Sequence, residues 1–196
     1  MTVLPSSAYS VREYKTALRT HMLAARDRLP PEIRARASAV IAQKILGLPS
    51  FVRARTVLIF YPYGSEWDAT HIIRSALARK KKLILPRRVK ENKTLDLYAV
   101  TDLDRETEWV DKIREPLTSL PKVAPEEVDW FLVPGVAFSL LGDRLGHGLG
   151  YFDKLLDAAS PTAFIAAGAF DIQIVDSLQT EPHDKKVQFV GVGSTY

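Results

Sequence analysis

The 196-residue chain contains no cysteine. Disulfide bonds, zinc ribbons, iron–sulfur clusters and thiolate nucleophiles are therefore excluded. No apolar run reaches the about 18 residues that a membrane-spanning helix needs, and the N-terminal sequence lacks the basic region and apolar run of a secretory signal. These absences predict a cytoplasmic protein that binds no membrane.

Positive charge is in small excess, with 27 lysine and arginine residues against 23 aspartate and glutamate residues. A surface built for nucleic acid usually adds basic stripes interleaved with aromatic residues, or a known motif, and neither is present. The basic run at residues 79–82 ends a predicted helix, where the helix dipole favours cations. We therefore expect no nucleic-acid partner. A basic RNA-associated protein is the alternative, and steeply salt-dependent binding to RNA would reveal it.

Periodic apolar residues predict four helices. The first covers residues 11–29, with Ser10 and Glu13 as a capping box before it and Pro30 after it. The others cover residues 33–48, a segment around residues 72–77, and residues 151–158. Short continuous apolar runs predict strands at residues 56–61, 83–86, 95–100, 130–133, 162–167 and 187–192.

Helices that alternate with continuous apolar strands predict the fold class. Such strands are typical of a mostly parallel sheet covered by helices on both faces. We therefore expect an α/β fold, a single three-layer domain over residues 10–196, preceded by a disordered or loosely held N-terminus at residues 1–9. Residues 101–124 contain acids and prolines with little periodicity, which predicts a long surface excursion.

A glycine-rich loop follows the strand predicted at residues 130–133. Gly146, Gly148 and Gly150 alternate directly before a predicted helix. Ligands of open parallel sheets bind beyond the carboxyl ends of the strands, where glycine lets backbone N–H groups approach an anion such as phosphate. The spacing matches neither a Walker loop nor a dinucleotide fingerprint. A flexible turn is the alternative interpretation.

Two charged residues flank this loop. Arg144 precedes it, and Asp153 follows it within the first turn of the helix. Arginine binds phosphate through parallel charge-assisted hydrogen bonds, and Mg²⁺ prefers one or two carboxylates together with phosphate oxygens. A triphosphate with magnesium therefore fits the segment, although Asp153 alone would also suit a helix N-terminus. The four histidines have no metal-ligand spacing: His21, His71, His147 and His183.

The sequence RLGHGLGYFDKLL, preceded by VPGVAF, resembles the signature of the 5-formyltetrahydrofolate cyclo-ligase family. Other segments agree in order along the chain. They are the pair Lys15 and Arg19, Glu66 within YPYGSEWDAT, and EPHDKKV at residues 181–187. The resemblance extends from residue 15 to about residue 193, which is almost the whole chain.

The resemblance implies an enzyme that uses ATP to convert 5-formyltetrahydrofolate to 5,10-methenyltetrahydrofolate, releasing ADP and phosphate. It implies Arg144 as a catalytic residue, and Asp153 and Asp184 as ligands of Mg²⁺. The residues that it implies for ATP are Lys15, Arg19, Arg144, Leu145, Gly146, His147, Gly148, Leu149, Gly150, Tyr151 and Phe152. Those that it implies for the folate are Tyr61, Glu66, His147, Gly148 and Tyr151.

Some alternatives stay open at this point. Lys15 and Arg19 share one helical face, which suits either a bound anion or a solvated polar surface. Trp109 either flanks the folate ring or anchors its own loop. Ser139, Leu149 and Phe152 depart from the family pattern and leave a divergent paralogue possible. The alternative function is a non-hydrolytic phosphate-binding, sugar-phosphate-binding or isomerase-type domain. We expect a monomer.

Overall fold

The computed structural model describes residues 10–182 and 184–196. Within these residues the helices are α1 (Val11–Asp27), α2 (Pro31–Leu46), α3 (Pro49–Arg53), α4 (Thr70–Ala78) and α5 (Tyr151–Asp157). The strands are β1 (Thr56–Ile59), β2 (Lys82–Val89), β3 (Thr94–Val100), β4 (Thr107–Val110), β5 (Ile113–Pro116), β6 (Trp130–Val133), β7 (Ala137–Ser139), β8 (Arg144–Leu145), β9 (Phe164–Phe170), β10 (Ile174–Val175) and β11 (Phe189–Gly193). The N-terminus predicted to be loosely held lies outside the described residues.

The first helix begins as the sequence predicts. The Ser10 hydroxyl accepts the N–H of Glu13 at 3.3 Å, and the Glu13 carboxylate accepts the N–H of Ser10 at 2.9 Å. This capping box satisfies two backbone donors that a helix N-terminus otherwise leaves unpaired. α1 ends at Asp27, two residues before the predicted boundary, and α2 starts with Pro31 at its first position, where no N–H is needed.

The central sheet has six strands in the order β11-β9-β6-β1-β2-β3. Every neighbouring pair is parallel except β2 and β3. This confirms the predicted α/β class with a mostly parallel sheet, while the extent of the domain stays a prediction. Because β1 and β6 are parallel neighbours, the segments that follow them leave the same edge of the sheet side by side.

Both faces of this sheet are buried, which explains the continuous apolar strands. On β1, Val57 and Ile59 face a core that includes residues of α2 and α4, whereas Leu58 faces a second core with Leu155 of α5. Alternate side chains of one strand thus enter different cores, and no position is left for a polar residue. Among the described residues, no helix combines the length and the apolar content needed to cross a membrane.

A smaller sheet, in the order β10-β7-β8, lies next to α1. The helix packs on it through Leu18 and Met22, which join a buried cluster with Ala137 and Leu145. Because Lys15 lies one turn before Leu18 and Arg19 directly after it, this packing brings both cations to the side of α1 near the segment that follows β8. The sequence predicted only a loop here, since β7 and β8 are too short to show a periodic pattern.

The segment at residues 101–124 contains an antiparallel hairpin, which the sequence interpretation missed. β4 and β5 pair through Trp109 and Arg114, and their turn holds Asp111 and Lys112 at φ 48° and 67°. Such a two-residue turn is usually recognised by Asn-Gly or Asp-Gly, and Asp-Lys lacks that glycine. The buried carboxylate of Glu115 accepts a hydrogen bond from Arg88 of β2 at 2.5 Å, which ties the hairpin to the central sheet.

Candidate active site

Two segments meet at the carboxyl edge of the central sheet. One follows β1 and carries Tyr61 and Glu66, and the other follows β8 and carries the glycines. They touch where His147 Nε2 lies 3.3 Å from Glu66 Oε1. The structure therefore brings together the nucleotide side and the folate side that the sequence resemblance implies. A surface hollow of about 310 Å³ beside Lys80 lies at the start of β2 and shares no residue with these segments.

The glycine loop, residues 146–150, has a backbone suited to an anion. Gly148 and Gly150 have φ values of 96° and 73°, a left-handed region that favours glycine. Among the hydrogen bonds of the described residues, none is donated by the backbone N–H groups of residues 146–150. Backbone donors normally find partners, so adjacent N–H groups that have none among the described residues are suited to a bound anion.

Lys15 lies at one side of this loop in a buried ionic cluster. Its ammonium donates to Asp184 Oδ2 at 2.5 Å and to Glu181 Oε2 at 2.7 Å, and only 8% of its side chain is exposed. Burial alone would lower the pKa of Lys15, but the hydrogen bonds to the two carboxylates outweigh it and raise the pKa overall. Lys15 is therefore a fixed positive charge at the side of the site.

Arg19 holds the loop itself. Its Nε donates to the carbonyl oxygen of Gly146 at 2.8 Å. A Cβ atom on Gly148 would lie 3.4 Å from the guanidinium carbon of Arg19, so the loop curls closely around this side chain. The cation pair on α1 thus faces protein and loop groups and is not a solvated surface.

Arg144 lies beneath the loop and is buried. Its guanidinium pairs with the carboxylate of Asp153 and donates to the carbonyl oxygen of Pro134 at 3.2 Å, while its Nε has no partner. Burial lowers the pKa of Arg144, and the nearby Asp153 and Asp184 oppose that shift. The structure therefore places this cation against Asp153, with the charge of Asp184 near enough to act on it.

Asp153 and Asp184 are the carboxylates predicted to hold magnesium. They are close, because the backbone N–H of Lys185 lies 3.5 Å from Asp153 Oδ1. No group of three or more carboxylate or histidine side chains suited to a metal occurs in the part of the chain that the structure describes. A Mg²⁺ ion bound by one or two carboxylates takes its other ligands from phosphate and water, so a pair of carboxylates is a donor set that it can use.

The folate side combines a buried carboxylate with aromatic rings. Only 8% of the Glu66 side chain is exposed, and its Oε2 accepts the N–H of Tyr63 at 2.9 Å. The Tyr61 and Trp109 rings meet edge to face with centroids 6.3 Å apart, and the Arg114 guanidinium lies 5.7 Å from the Tyr61 centroid. Trp109 is 67% exposed, so the hairpin presents an open aromatic face next to Tyr61.

The remaining predicted site residues differ in accessibility. The Leu145 side chain is buried against α1 and its carbonyl oxygen accepts the N–H of Val136, whereas Leu149 is 56% exposed. Tyr151 is half-buried, and Phe152 packs against both main cores, which explains an apolar ring at that position. Ser139 is fully buried and donates to Asp143 at 2.8 Å, so it closes the turn between β7 and β8.

Sequence interpretation missed three residues of this region. Glu181 shares the Lys15 ammonium with Asp184, Arg114 contacts Tyr61, and Arg26 is buried next to the segment that carries Glu66. Periodicity gave one usable signal, since Arg26 falls eleven residues after Lys15 on the face of α1 that also carries Leu18 and Met22. Pairing across the fold could not be read from the sequence.

These features define an α/β protein with a glycine loop at the carboxyl edge of a parallel sheet, beside a segment that carries a buried carboxylate and an aromatic ring. Residues 11–193 match the model of the 5-formyltetrahydrofolate cyclo-ligase family. The chain belongs to this family, as the sequence resemblance predicted, and is a ligase.

Individual relatives agree. A 5-formyltetrahydrofolate cyclo-ligase of Mycolicibacterium smegmatis is 30% identical, and the alignment covers 87% of this chain and 89% of that protein. The solved structure of an Aquifex aeolicus 5,10-methenyltetrahydrofolate synthetase is 33% identical with a TM-score of 0.79, covering 91% of this chain and 89% of that one. A Mycoplasma pneumoniae 5,10-methenyltetrahydrofolate synthetase, 19% identical, shares the fold with a TM-score of 0.74 over 90% of this chain and 97% of that one.

Proposed function

We propose that this chain carries out the reaction named by its family, the ATP-dependent conversion of 5-formyltetrahydrofolate to 5,10-methenyltetrahydrofolate with release of ADP and phosphate. One observation carries the proposal. Among the described residues, the backbone N–H groups of residues 146–150 donate no hydrogen bond, and the loop contacts both Arg19 on α1 and the buried Arg144. Free N–H groups beside fixed cations suit the terminal phosphates of a nucleotide.

The chemistry needs phosphorylation because a formyl group on nitrogen is an amide. Its carbon is a poor electrophile, and its oxygen is a poor leaving group. In the proposed reaction the formyl oxygen attacks the γ-phosphorus of ATP and displaces ADP. The neighbouring folate nitrogen then attacks the formyl carbon and closes the five-membered ring. It gives up its proton to solvent, and the former formyl oxygen leaves with the phosphate.

The residues supply position and charge more than covalent chemistry, as is usual for phosphoryl transfer. Arg19 fixes the loop through Gly146, and Lys15 places a positive charge at its side. Arg144, which lies under the loop, holds Asp153 and stabilises negative charge that develops on the transferred phosphoryl group. These roles require no nucleophilic side chain.

We assign Asp153 and Asp184 as the protein ligands of Mg²⁺. A bound magnesium ion would neutralise phosphate charge at this edge of the site. Asp153 is kept in place by Arg144, and Asp184 by Lys15 and by the backbone N–H of Glu181 at 2.6 Å. Both carboxylates are thus oriented before the ion arrives, which is the arrangement that second ligand shells provide.

The folate site is assigned to Tyr61, Glu66, His147, Gly148 and Tyr151. Glu66 is placed to accept hydrogen bonds from N–H groups of the pterin ring, because its carboxylate is buried at the carboxyl edge of β1. His147 touches Glu66 from the glycine loop, so it lies at the junction of the folate and the nucleotide. The formyl oxygen and the γ-phosphate would meet at this junction.

The test is the absorbance of the methenyl product when the purified protein receives 5-formyltetrahydrofolate, with and without MgATP. The proposal predicts product and equimolar ADP only when folate, ATP and magnesium are all present. ADP formation without the folate, or no product with all three, would contradict it. A phosphate-binding or isomerase-type domain would bind the anion and release no ADP. Monomeric state and cytoplasmic location stay predictions.

A further inference from the structure

The buried face of α1 carries a cation near each end. Lys15 lies near the start and Arg26 near the end, eleven residues apart, which is about 16 Å along a helix. Lys15 is explained by its carboxylate partners on the nucleotide side. Arg26 belongs to neither set of residues assigned above, although burying a charge is costly unless a partner compensates it.

Arg26 is only 4% exposed, and its Nε donates to the hydroxyl of Ser65 at 3.0 Å. Ser65 in turn donates to the carboxylate of Asp27. Among the described residues this is the one hydrogen bond that the guanidinium makes, although a guanidinium carries five N–H donors.

The charged groups around Arg26 indicate what this buried cation does. Burial lowers the pKa of Arg26, while the carboxylates of Glu66 and Asp27 oppose that shift and Arg34 adds to it. Asp27 is exposed and therefore well hydrated, whereas the Glu66 side chain is 8% exposed. Of these two acids, Glu66 is the one that needs a compensating cation nearby.

The other contacts of Glu66 do not provide a permanent charge. The N–H of Tyr63 is neutral, and His147 is a cation only when protonated. Arg26 is charged throughout the pH range in which proteins are stable, and it is anchored by Ser65, the residue before Glu66.

We propose that Arg26 is a positioning residue of the folate site, which holds the segment around Glu66 against α1 through Ser65 and so orients that carboxylate to accept hydrogen bonds from the pterin. The inference rests on the proposed function, because it assigns Glu66 to the folate. It makes α1 a support for both substrates, with Lys15 serving the nucleotide and Arg26 serving the folate.

The variants Arg26→Gln and Arg26→Lys test this role, with Arg28→Gln as the matched control on an exposed arginine of the same helix end. We expect Arg26→Gln to raise the KM for 5-formyltetrahydrofolate about tenfold while the KM for ATP changes less than about twofold. Arg26→Lys keeps the charge and should recover part of the loss. Arg28→Gln should match the wild type.

A double-mutant cycle with Glu66→Gln separates an effect of Arg26 on Glu66 from a general loss of native structure. If Arg26 acts through Glu66, Arg26→Gln should raise the folate KM less than about twofold further once Glu66 is neutral. Should Arg26→Gln fail to fold, Arg26→Lys and Ser65→Ala carry the test. Ser65→Ala removes the anchor and should raise the folate KM about threefold without affecting the KM for ATP.

Distinct outcomes overturn the inference and the proposed function. Equal losses for both substrates, an unchanged folate KM, or independent effects of Arg26 and Glu66 would each refute the role of Arg26. Absence of turnover by the wild-type protein would instead refute the proposed function. In that case, direct titration with 5-formyltetrahydrofolate still decides the inference, since Arg26→Gln must weaken folate binding and Arg28→Gln must not.

Discussion

The buried cations among the described residues all lie near the proposed site. Lys15, Arg26 and Arg144 are each less than 7% exposed. Lys15 and Arg144 pair with carboxylates assigned to magnesium, and Arg26 bonds Ser65, the residue before Glu66. Removing one partner of a buried pair is strongly destabilising, because the other charge is left uncompensated. Substitutions at these residues must therefore be judged on separate kinetic constants and not on activity alone.

Asp153→Asn tests the assignment of the magnesium ligand. Asparagine keeps the size and one oxygen but loses the charge, so the magnesium concentration for half-maximal activity should rise about tenfold or more. The measurement is a magnesium titration at saturating ATP and folate. Asp157→Asn on the same helix is the control, because its side chain is 59% exposed in a surface pair with Lys185. An unchanged titration for Asp153→Asn would contradict the assignment.

Asp143→Asn gives a pH-dependent prediction outside the substrate site. The hydrogen bond from Lys186, aided by Ser139, lowers the pKa of Asp143 below its ordinary 3.8 despite burial. A lowered folded-state pKa gives stability above the unfolded value, and this stability is lost as the pH falls through the folded value.

The wild type should therefore exceed Asp143→Asn in unfolding free energy by about 1 kcal/mol at neutral pH, and the difference should shrink below about pH 3.8. Denaturant unfolding at several pH values measures it. Lys186→Gln should remove part of the same pH-dependent contribution to the unfolding free energy. A difference that stays constant down to pH 2 would show that the charge of Asp143 is not responsible.

At the scale of elements, the glycine loop is held open by backbone conformation. Gly150 lies directly before α5 with a φ of 73°, and a Cβ there would meet nothing within 4 Å. Alanine at this position would therefore strain the backbone without any steric clash. Alanine at Gly64, in the segment that follows β1 and carries Glu66, would also strain the backbone without a clash, because φ there is 61° and a Cβ would meet nothing within 4 Å.

These two glycines form a matched pair. Each alanine variant should cost about 1–2 kcal/mol of left-handed backbone conformation. Gly150→Ala should raise the KM for ATP several-fold, and Gly64→Ala should raise the KM for folate. Gly47→Ala is the control, because φ at Gly47 is −83° and its nearest Cβ contact is an ordinary 3.5 Å. If Gly150→Ala and Gly64→Ala each changed the KM for ATP and the KM for folate equally, the assignment of the two segments to different substrates would be contradicted.

For the whole molecule, the sequence predicted the alternating elements, because strands such as β1 and β6 are apolar throughout and α1 has a complete capping box. The sequence did not predict which distant strands and side chains pair with one another. The hairpin of β4 and β5 lacks a glycine turn signal, and β7 and β8 are held by contacts with α1 more than by their own composition. The contact of Lys15 with Glu181 likewise depends on how distant segments pack.

The glycine loop shows which part of the candidate site could be predicted from a sequence motif. Its alternating glycines, with Arg144 before and Asp153 after, predicted an anion-binding loop, and anion binding stays a prediction. That Arg144 would be buried, with its charge directed to Asp153, could not be predicted, because burial depends on the packing of β7, β8 and α5. The burial of Arg26 could not be predicted for the same reason.

A crystal structure with MgATP, or with a non-hydrolysable analogue, tests the central claim most directly. The account predicts the terminal phosphate on the backbone N–H groups of residues 146–150, with Lys15 and Arg19 beside it and magnesium between Asp153 and Asp184. A nucleotide bound elsewhere, with those N–H groups left to solvent, would contradict it.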